Sequence, residues 1–107
     1  MKAVFFTNEF PPNVYGGAGV HVDYLSRELS KLIEVEVHCF GNQCLDAKNL
    51  KARGHDPKVS YDCSDPKFAK VLDAFTRNIS MAACLKGADI VHCHTWYSHL
   101  AGLMARQ

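Results

Sequence analysis

Apolar residues fall in short runs divided by turn-forming residues, and the runs switch between two periods. Lys2 to Thr7 is continuous in its apolar residues rather than alternating, the pattern of a parallel strand buried on both faces. Asn8 to Gly19 holds Pro11-Pro12 and three glycines, so regular structure is not expected before Gly19. Val22, Leu25, Leu29 and Leu32 then recur at spacings of three and four, the stripe of an amphipathic helix. Val35, Val37 and Cys39 alternate with Glu36 and His38 as a second strand that ends at Gly41-Asn42.

Gln43 to Pro57 is mixed in charge and reads as a loop, with Val59 to Tyr61 a short edge strand. Ser64 or Asp65 caps a second helix, and Pro66 suits its first turn. Phe68, Val71, Leu72, Phe75, Ile79 and Ala82 are its expected core stripe, and Gly87 its stop. Ala88 to His94 is the next strand, and Ser98 to Arg106 begins another helix. The alternation of strand and helix predicts an α/β fold, a Rossmann-like doubly wound parallel sheet. In the strand order 3-2-1-4 the first strand neighbours the one carrying His92 and His94, and their following loops face each other across a crevice. With about four strands, half of such a sheet, the chain is expected to be part of a larger protein.

Composition changes this picture little. With 107 residues, 48% hydrophobic and 21% charged, the chain has the make-up of one soluble globular domain. A net charge of +1 with dispersed cations gives no reason to expect nucleic acid or a membrane surface as partner. No segment approaches the apolar length of a membrane span, and no signal peptide is evident, so a cytoplasmic location is expected. The five cysteines include no C-x-x-C pair and read as free thiols; Cys39 and Cys44 with histidines match no zinc spacing, so no metal is expected.

Two stretches carry the candidate chemistry. Gly16, Gly17 and Gly19 precede a helix, where bare backbone and the helix dipole favour a phosphate; the alternative is a turn needed only for chain reversal. A dinucleotide fingerprint is poorly matched, because Val22 stands where a third glycine belongs and Cys39-Phe40-Gly41 offers no acid for a ribose. His92 and His94 share one strand face at its carboxyl end, where imidazoles hydrogen-bond hydroxyls or a developing charge. His92 reads first as a core histidine, and His94 as functional. His21, in the opening turn of the first helix, is either a loop-packing or a site residue. Trp96 and Tyr97 offer faces on which sugar C–H groups pack, or else fill the gap between strand and helix. Glu9 is either a crevice carboxylate or a partner of its own loop's amides. No Ser/His/Asp set or spaced carboxylate pair supports hydrolysis.

NEFPPNVYGGAGVHV followed by ADIVHCHTWYSHLAG resembles the N-terminal, acceptor-side domain of retaining GT-B glycosyltransferases, in their glycogen-synthase-like and maltose-1-phosphate-synthase-like branch. The resemblance implies a two-domain enzyme with a nucleotide-sugar donor, ADP-glucose or UDP-glucose, in the cleft. The acceptor would be an α-glucan or glucose 1-phosphate. Gly16 and Gly17 match glycines lying against the donor's diphosphate and sugar. His94 matches the histidine of an H-x-H-(D/T)-W stretch that contacts the transferred sugar, and His21 one that follows the glycine loop. No metal or other cofactor is implied. Val14 and Tyr15 replace the Lys-Thr of the starch-synthase type, and Val20 replaces its aspartate. The missing C-terminal domain holds the residues that grip the nucleotide, so these 107 residues alone are expected to be inactive. Two other classes stay open: a non-catalytic Rossmann-like binding module, and an NAD-dependent oxidoreductase.

Overall fold

The computed structural model describes all 107 residues. Strands β1 (Lys2–Phe6), β2 (Glu34–Phe40), β3 (Cys44–Ala47), β4 (Leu50–His55) and β5 (Ile90–Cys93) form one sheet in the order β3-β4-β2-β1-β5. β1 pairs in parallel with β2 and β5, β2 pairs in parallel with β4, and β3 runs antiparallel to β4. Helices α1 (Gly17–Leu29), α2 (Pro66–Ala83) and α3 (His99–Ala105) complete the Rossmann-like α/β architecture.

Alternation along β1 explains the two layers. Ala3 and Phe5 join Val35, Val37, Cys39, Leu50 and Ala52 on one face, under Val22, Leu25 and Leu29 of α1. Val4 and Phe6 face the other way, onto Met81 of α2 and Ala101 of α3. Burying each of these phenylalanine rings contributes about 1.5–3 kcal/mol of transfer free energy. Because both faces of β1 are covered, its sequence is apolar without a break.

The parallel strands β4-β2-β1-β5 realise the expected order 3-2-1-4, but the third of them is not where the sequence suggested. Val59 to Tyr61 is not a strand; the supposed loop Gln43 to Pro57 contains β3 and β4 instead. Leu50 and Ala52 point inward and Lys51 and Arg53 outward, a short period-two signal hidden among charges. Asn49, at φ 62°, closes the hairpin in a conformation that asparagine tolerates better than most residues. At the end of β2, Gly41 has φ 123° and permits the turn that follows.

Helix α2 also turns a face the stripe did not foretell. Phe68, Phe75 and Ile79 are exposed, while Ala74, Asn78 and Met81 are buried. Asn78 claims that face by hydrogen bonding. Its side-chain nitrogen donates to the carbonyls of Ala74 (2.7 Å) and Tyr97 (2.5 Å), and its oxygen accepts from the Ala101 amide (2.8 Å). A polar clasp thus ties the 3-10 turn Trp96–Ser98 and α3 to α2. Leu32, placed on the α1 stripe by its spacing, lies beyond the helix end and is exposed.

A second buried polar chain crosses the α2 side of the sheet. Lys2 Nζ contacts Glu36 (2.8 Å), Glu36 meets His38 Nε2 (2.6 Å), His38 Nδ1 meets His55 Nε2 (2.8 Å), and His55 Nδ1 meets Ser80 Oγ (2.6 Å). Burial first, then the neighbouring charges of His38 and Arg53, lowers the His55 pKa to about 4. The chain is therefore satisfied with neutral imidazoles: Ser80 donates to His55, His55 to His38, and His38 to the Glu36 carboxylate.

Asn78→Leu, close in volume but unable to bond, should cost about 1–3 kcal/mol in denaturant unfolding, because the Tyr97 carbonyl and Ala101 amide lose their partner. A loss below about 0.5 kcal/mol, the scale of neutral surface changes, would mean the clasp is not holding α3.

Candidate functional site

The glycine loop is folded around one carboxylate. Glu9 is buried, and its two oxygens accept from the amides of Tyr15 (2.6 Å) and Gly19 (3.1 Å). Of its two expected roles, Glu9 therefore takes that of partner to its own loop. Gln43 fixes the same loop by donating to the Phe10 carbonyl (2.9 Å), and the Pro11–Pro12 bond is cis. Gly19 sits so close to Val14 and Glu9 that a Cβ there would meet Val14 at 2.9 Å and Glu9 at 3.0 Å. Gly16 and Gly17 are different: a Cβ on either would meet nothing within 4 Å. Packing requires Gly19 and leaves Gly16 and Gly17 exposed at the start of α1. Gly16 caps that helix without a side chain, and with the Gly19 amide taken by Glu9, the Gly17 and Ala18 amides are the ones that remain available to an anion.

The second loop arrives beside it because β1 and β5 are neighbours. The His94 amide donates to the Phe6 carbonyl (2.8 Å), extending the β1–β5 ladder by one bond. His94 lies 4.2 Å, ring centre to ring centre, from His92 and 5.9 Å from His21 of α1. Phe5 meets the His94 ring edge-on at 5.0 Å. His94 is only 8% exposed, and its Nε2 is buried without a hydrogen-bond partner. Burial first, then the charges of His92 and His21, lowers its pKa to about 4, so the ring is neutral at physiological pH. A neutral imidazole with an unpaired nitrogen is a donor or acceptor held ready for a polar ligand group, and leaving it unpaired costs about 1–3 kcal/mol.

His21, His92 and His94 are thus brought together at the end of β5 beside the glycine helix. His92 is exposed rather than a core residue, since β5 is an edge strand of the sheet. Trp96 is half-exposed and stacks on Tyr97 at 4.1 Å. No three His, Cys, Asp or Glu side chains converge as a metal site would require. All five cysteines are free, and burial pushes the Cys39 thiol up to about 12. No helix is long and apolar enough to cross a membrane.

Sequence patterns did not single out Thr95. It has φ 67° and ψ 163°, a strained conformation for a β-branched residue, and its hydroxyl donates to the Asn8 side chain (3.1 Å). Ser98 donates to the His94 carbonyl (2.9 Å). These bonds join the two loops and fix the backbone beside the imidazole.

The imidazoles line none of the surface cavities. A polar cavity of about 290 Å³ lies between the Asn8–Tyr15 loop and α2, and an adjoining aromatic one of about 480 Å³ lies between Phe40, Tyr61 and Tyr97. A third, of about 490 Å³, flanks β3 and β4.

Comparison with known proteins agrees with this geometry. The profile of Glycosyltransferase Family 4 matches residues 15–107. Alpha-maltose-1-phosphate synthase of Mycobacterium tuberculosis is 38% identical over 108 residues, covering 98% of this chain and 25% of that protein. The enzyme of the same name from Mycolicibacterium smegmatis shows the same identity and coverage. An uncharacterised glycosyltransferase of Methanocaldococcus jannaschii is 26% identical over 95% of this chain and 27% of its own length. The chain spans about a quarter of the length of the curated relatives it matches.

The glycines should separate by role. Gly19→Ala should lower unfolding stability by about 1–3 kcal/mol, as overpacking against Val14 and Glu9 requires. Gly16→Ala and Gly17→Ala should stay within about 1 kcal/mol of the wild-type protein, Gly17→Ala with a slight gain from helix propensity. Equal losses at all three positions would show that Gly16 and Gly17 serve only the turn.

Proposed function

The chain belongs to glycosyltransferase family 4, and on that premise we propose that the full-length protein transfers glucose from a nucleotide-sugar donor with retention of anomeric configuration. ADP-glucose or UDP-glucose is the donor, and an α-glucan or a sugar phosphate the acceptor. This chain is the acceptor-side N-terminal domain, and a C-terminal domain grips the nucleotide. The names of the mycobacterial relatives support a sugar product of this kind. Free thiols throughout fit the reducing cytoplasm as its compartment.

The observation that carries this reading is the His94 ring: buried, neutral and unpaired at Nε2, its centre 5.9 Å from that of His21 on α1, the helix that opens at Gly17. As the bond from the sugar's anomeric carbon to the diphosphate breaks, its electron pair passes to the diphosphate oxygen. The open amides at Gly17 and Ala18 and the dipole of α1 offset that charge, so no divalent cation is needed. His94 bonds a hydroxyl of the sugar being moved and holds the ring while the anomeric carbon becomes electron-poor; a cationic imidazole there would oppose that change. Burial first, then His92 and His21 beside it, keep its proton affinity low.

Full-length protein should release nucleoside diphosphate from the donor only when an acceptor is present. His94→Ala should cut that rate by at least about tenfold, the scale of one lost transition-state contact. Donor-dependent release at the wild-type rate in His94→Ala would remove His94 from the mechanism.

A further inference from the structure

Thr95 holds a backbone conformation made for glycine. At φ 67° and ψ 163° a side chain crowds the neighbouring peptide groups, and a β-branched one suffers most. Such a conformation persists only where surrounding bonds impose it. Here they do. The His94 amide donates to the Phe6 carbonyl (2.8 Å), and the His94 carbonyl accepts from Ser98 Oγ (2.9 Å). The Thr95 carbonyl accepts from the same hydroxyl (3.1 Å) and from the Ser98 amide (3.3 Å). The chain therefore leaves β5 and folds back directly after the imidazole.

Glycine would make that turn without strain, so the turn alone does not explain a threonine. Nor does capping. A threonine before a helical turn ordinarily bonds that turn's amides, and Thr95, which precedes the 3-10 turn Trp96–Ser98, makes no such bond. Its hydroxyl donates instead to Asn8 Oδ1 (3.1 Å), in the loop after β1.

Asn8 is a firm anchor. Thr7 Oγ1 accepts from the Glu9 amide (3.3 Å) and donates to the Glu9 carbonyl (3.1 Å), which braces the backbone on both sides of Asn8. The Thr7 amide is itself tied to the His38 carbonyl of β2 (3.0 Å). Glu9, the next residue, holds the Tyr15 and Gly19 amides. Two adjacent residues thus grip the two halves of the site: Glu9 the glycine loop, and Asn8 the loop that carries the imidazole. No protein group bonds His94 Nε2, so its aim depends on the backbone at His94 and Thr95 and on the rings of Phe5, His21 and His92 packed beside it.

We propose that Thr95 is a positioning residue: through its bond to Asn8 it aims the His94 ring at the ligand held by the open amides of α1. The strained backbone is the condition of having a hydroxyl at that turn. The assignment rests on the glycosyl-transfer reading above, and Thr95 acts through His94 rather than on the substrate.

The test uses the full-length protein with ADP-glucose and UDP-glucose, each with glucose 1-phosphate and with maltoheptaose, and four variants. Thr95→Val keeps the shape without the hydroxyl, Thr95→Gly removes both hydroxyl and strain, Thr95→Ser keeps the hydroxyl, and Asn8→Ala removes its acceptor. Thr95→Val and Thr95→Gly should each lower kcat at least about tenfold with donor KM within about threefold of wild type, while Thr95→Ser stays within about threefold in both, since a small misplacement of a reacting group is enough for such a loss. Thr95→Gly should nonetheless melt at a higher temperature than Thr95→Val, because its backbone is relaxed. Asn8→Ala combined with Thr95→Val should be no slower than the slower single variant, as expected of partners in one bond. Wild-type kcat in Thr95→Gly would reduce Thr95 to a turn residue and overturn the proposal, as would additive losses in the double variant. A lower melting temperature for Thr95→Gly than for Thr95→Val would show that the backbone there is not strained, and would overturn it too. Histidine nitrogen-15 NMR reads the aim of the ring without turnover: the His94 signals should keep their wild-type positions in Thr95→Ser and move in Thr95→Val and Thr95→Gly. Unmoved signals in both would sink the proposal whether or not donor is consumed. Signals that move as expected in a wild-type background that consumes no donor would remove the transferase reading and leave Thr95 as the residue that aims His94.

Discussion

β1 lies between β2 and β5, so two strands nearly ninety residues apart in sequence end side by side, with the Phe6 carbonyl receiving the His94 amide. That parallel pairing sets the position of every candidate side chain. It places the loop after β1, which becomes the glycine-led start of α1, against the loop after β5, which carries the imidazole. Neither loop makes a site alone. The first offers open amides at the start of α1, and the second offers a ring whose nitrogen has no protein partner. Thr95 and Asn8 join them by one hydrogen bond, at the cost of a strained backbone conformation at Thr95.

Buried polar groups, more than apolar burial, give this edge of the sheet its detail. Glu9 accepts from two amides and so shapes a loop whose proline pair and glycines would otherwise leave it without regular bonding. Asn78 makes three bonds and holds the turn that presents Tyr97. The Glu36–His38–His55–Ser80 chain satisfies four polar side chains beneath α2. His94 contrasts with all of these, because burial lowers its proton affinity and no protein group satisfies its Nε2. A fold that pairs its other buried imidazoles and leaves one nitrogen open marks that position for a ligand.

Much of this was legible because strong patterns survive tertiary packing. The continuous apolar run of β1 announced a strand covered on both faces, and the strand order followed from the alternation of elements. The meeting of the glycine loop with His94 followed from that order. The errors have local causes. β4 is short and carries Lys51 and Arg53 on its outer face, so charge concealed its alternation from a reading that sought apolar runs. On α2, Phe68, Phe75 and Ile79 form a tempting stripe, yet Asn78, through bonds no periodicity can show, decides which face is inward. His92 looked like a core residue, but an edge strand leaves it exposed. The contribution of Thr95 lies in backbone geometry, which side-chain identity alone does not reveal, whereas the bonding of Glu9 to its own loop's amides was one of the two roles its position allowed. Trp96, open either to packing or to a sugar face by its position, stacks on Tyr97 and keeps half of its surface exposed.

The central claim is that one neutral imidazole and the amides opening α1 face the same ligand. Nitrogen-15 NMR of the full-length protein, labelled at histidine and glycine, tests it most directly. The account predicts that the His94 ring stays neutral from pH 7 down to near its lowered pKa of about 4, and that adding nucleotide-sugar donor shifts the His94 ring nitrogens and the Gly17 amide together. Protonation of His94 near its ordinary value of 6.5, or a donor-induced shift at Gly17 with none at His94, would contradict it.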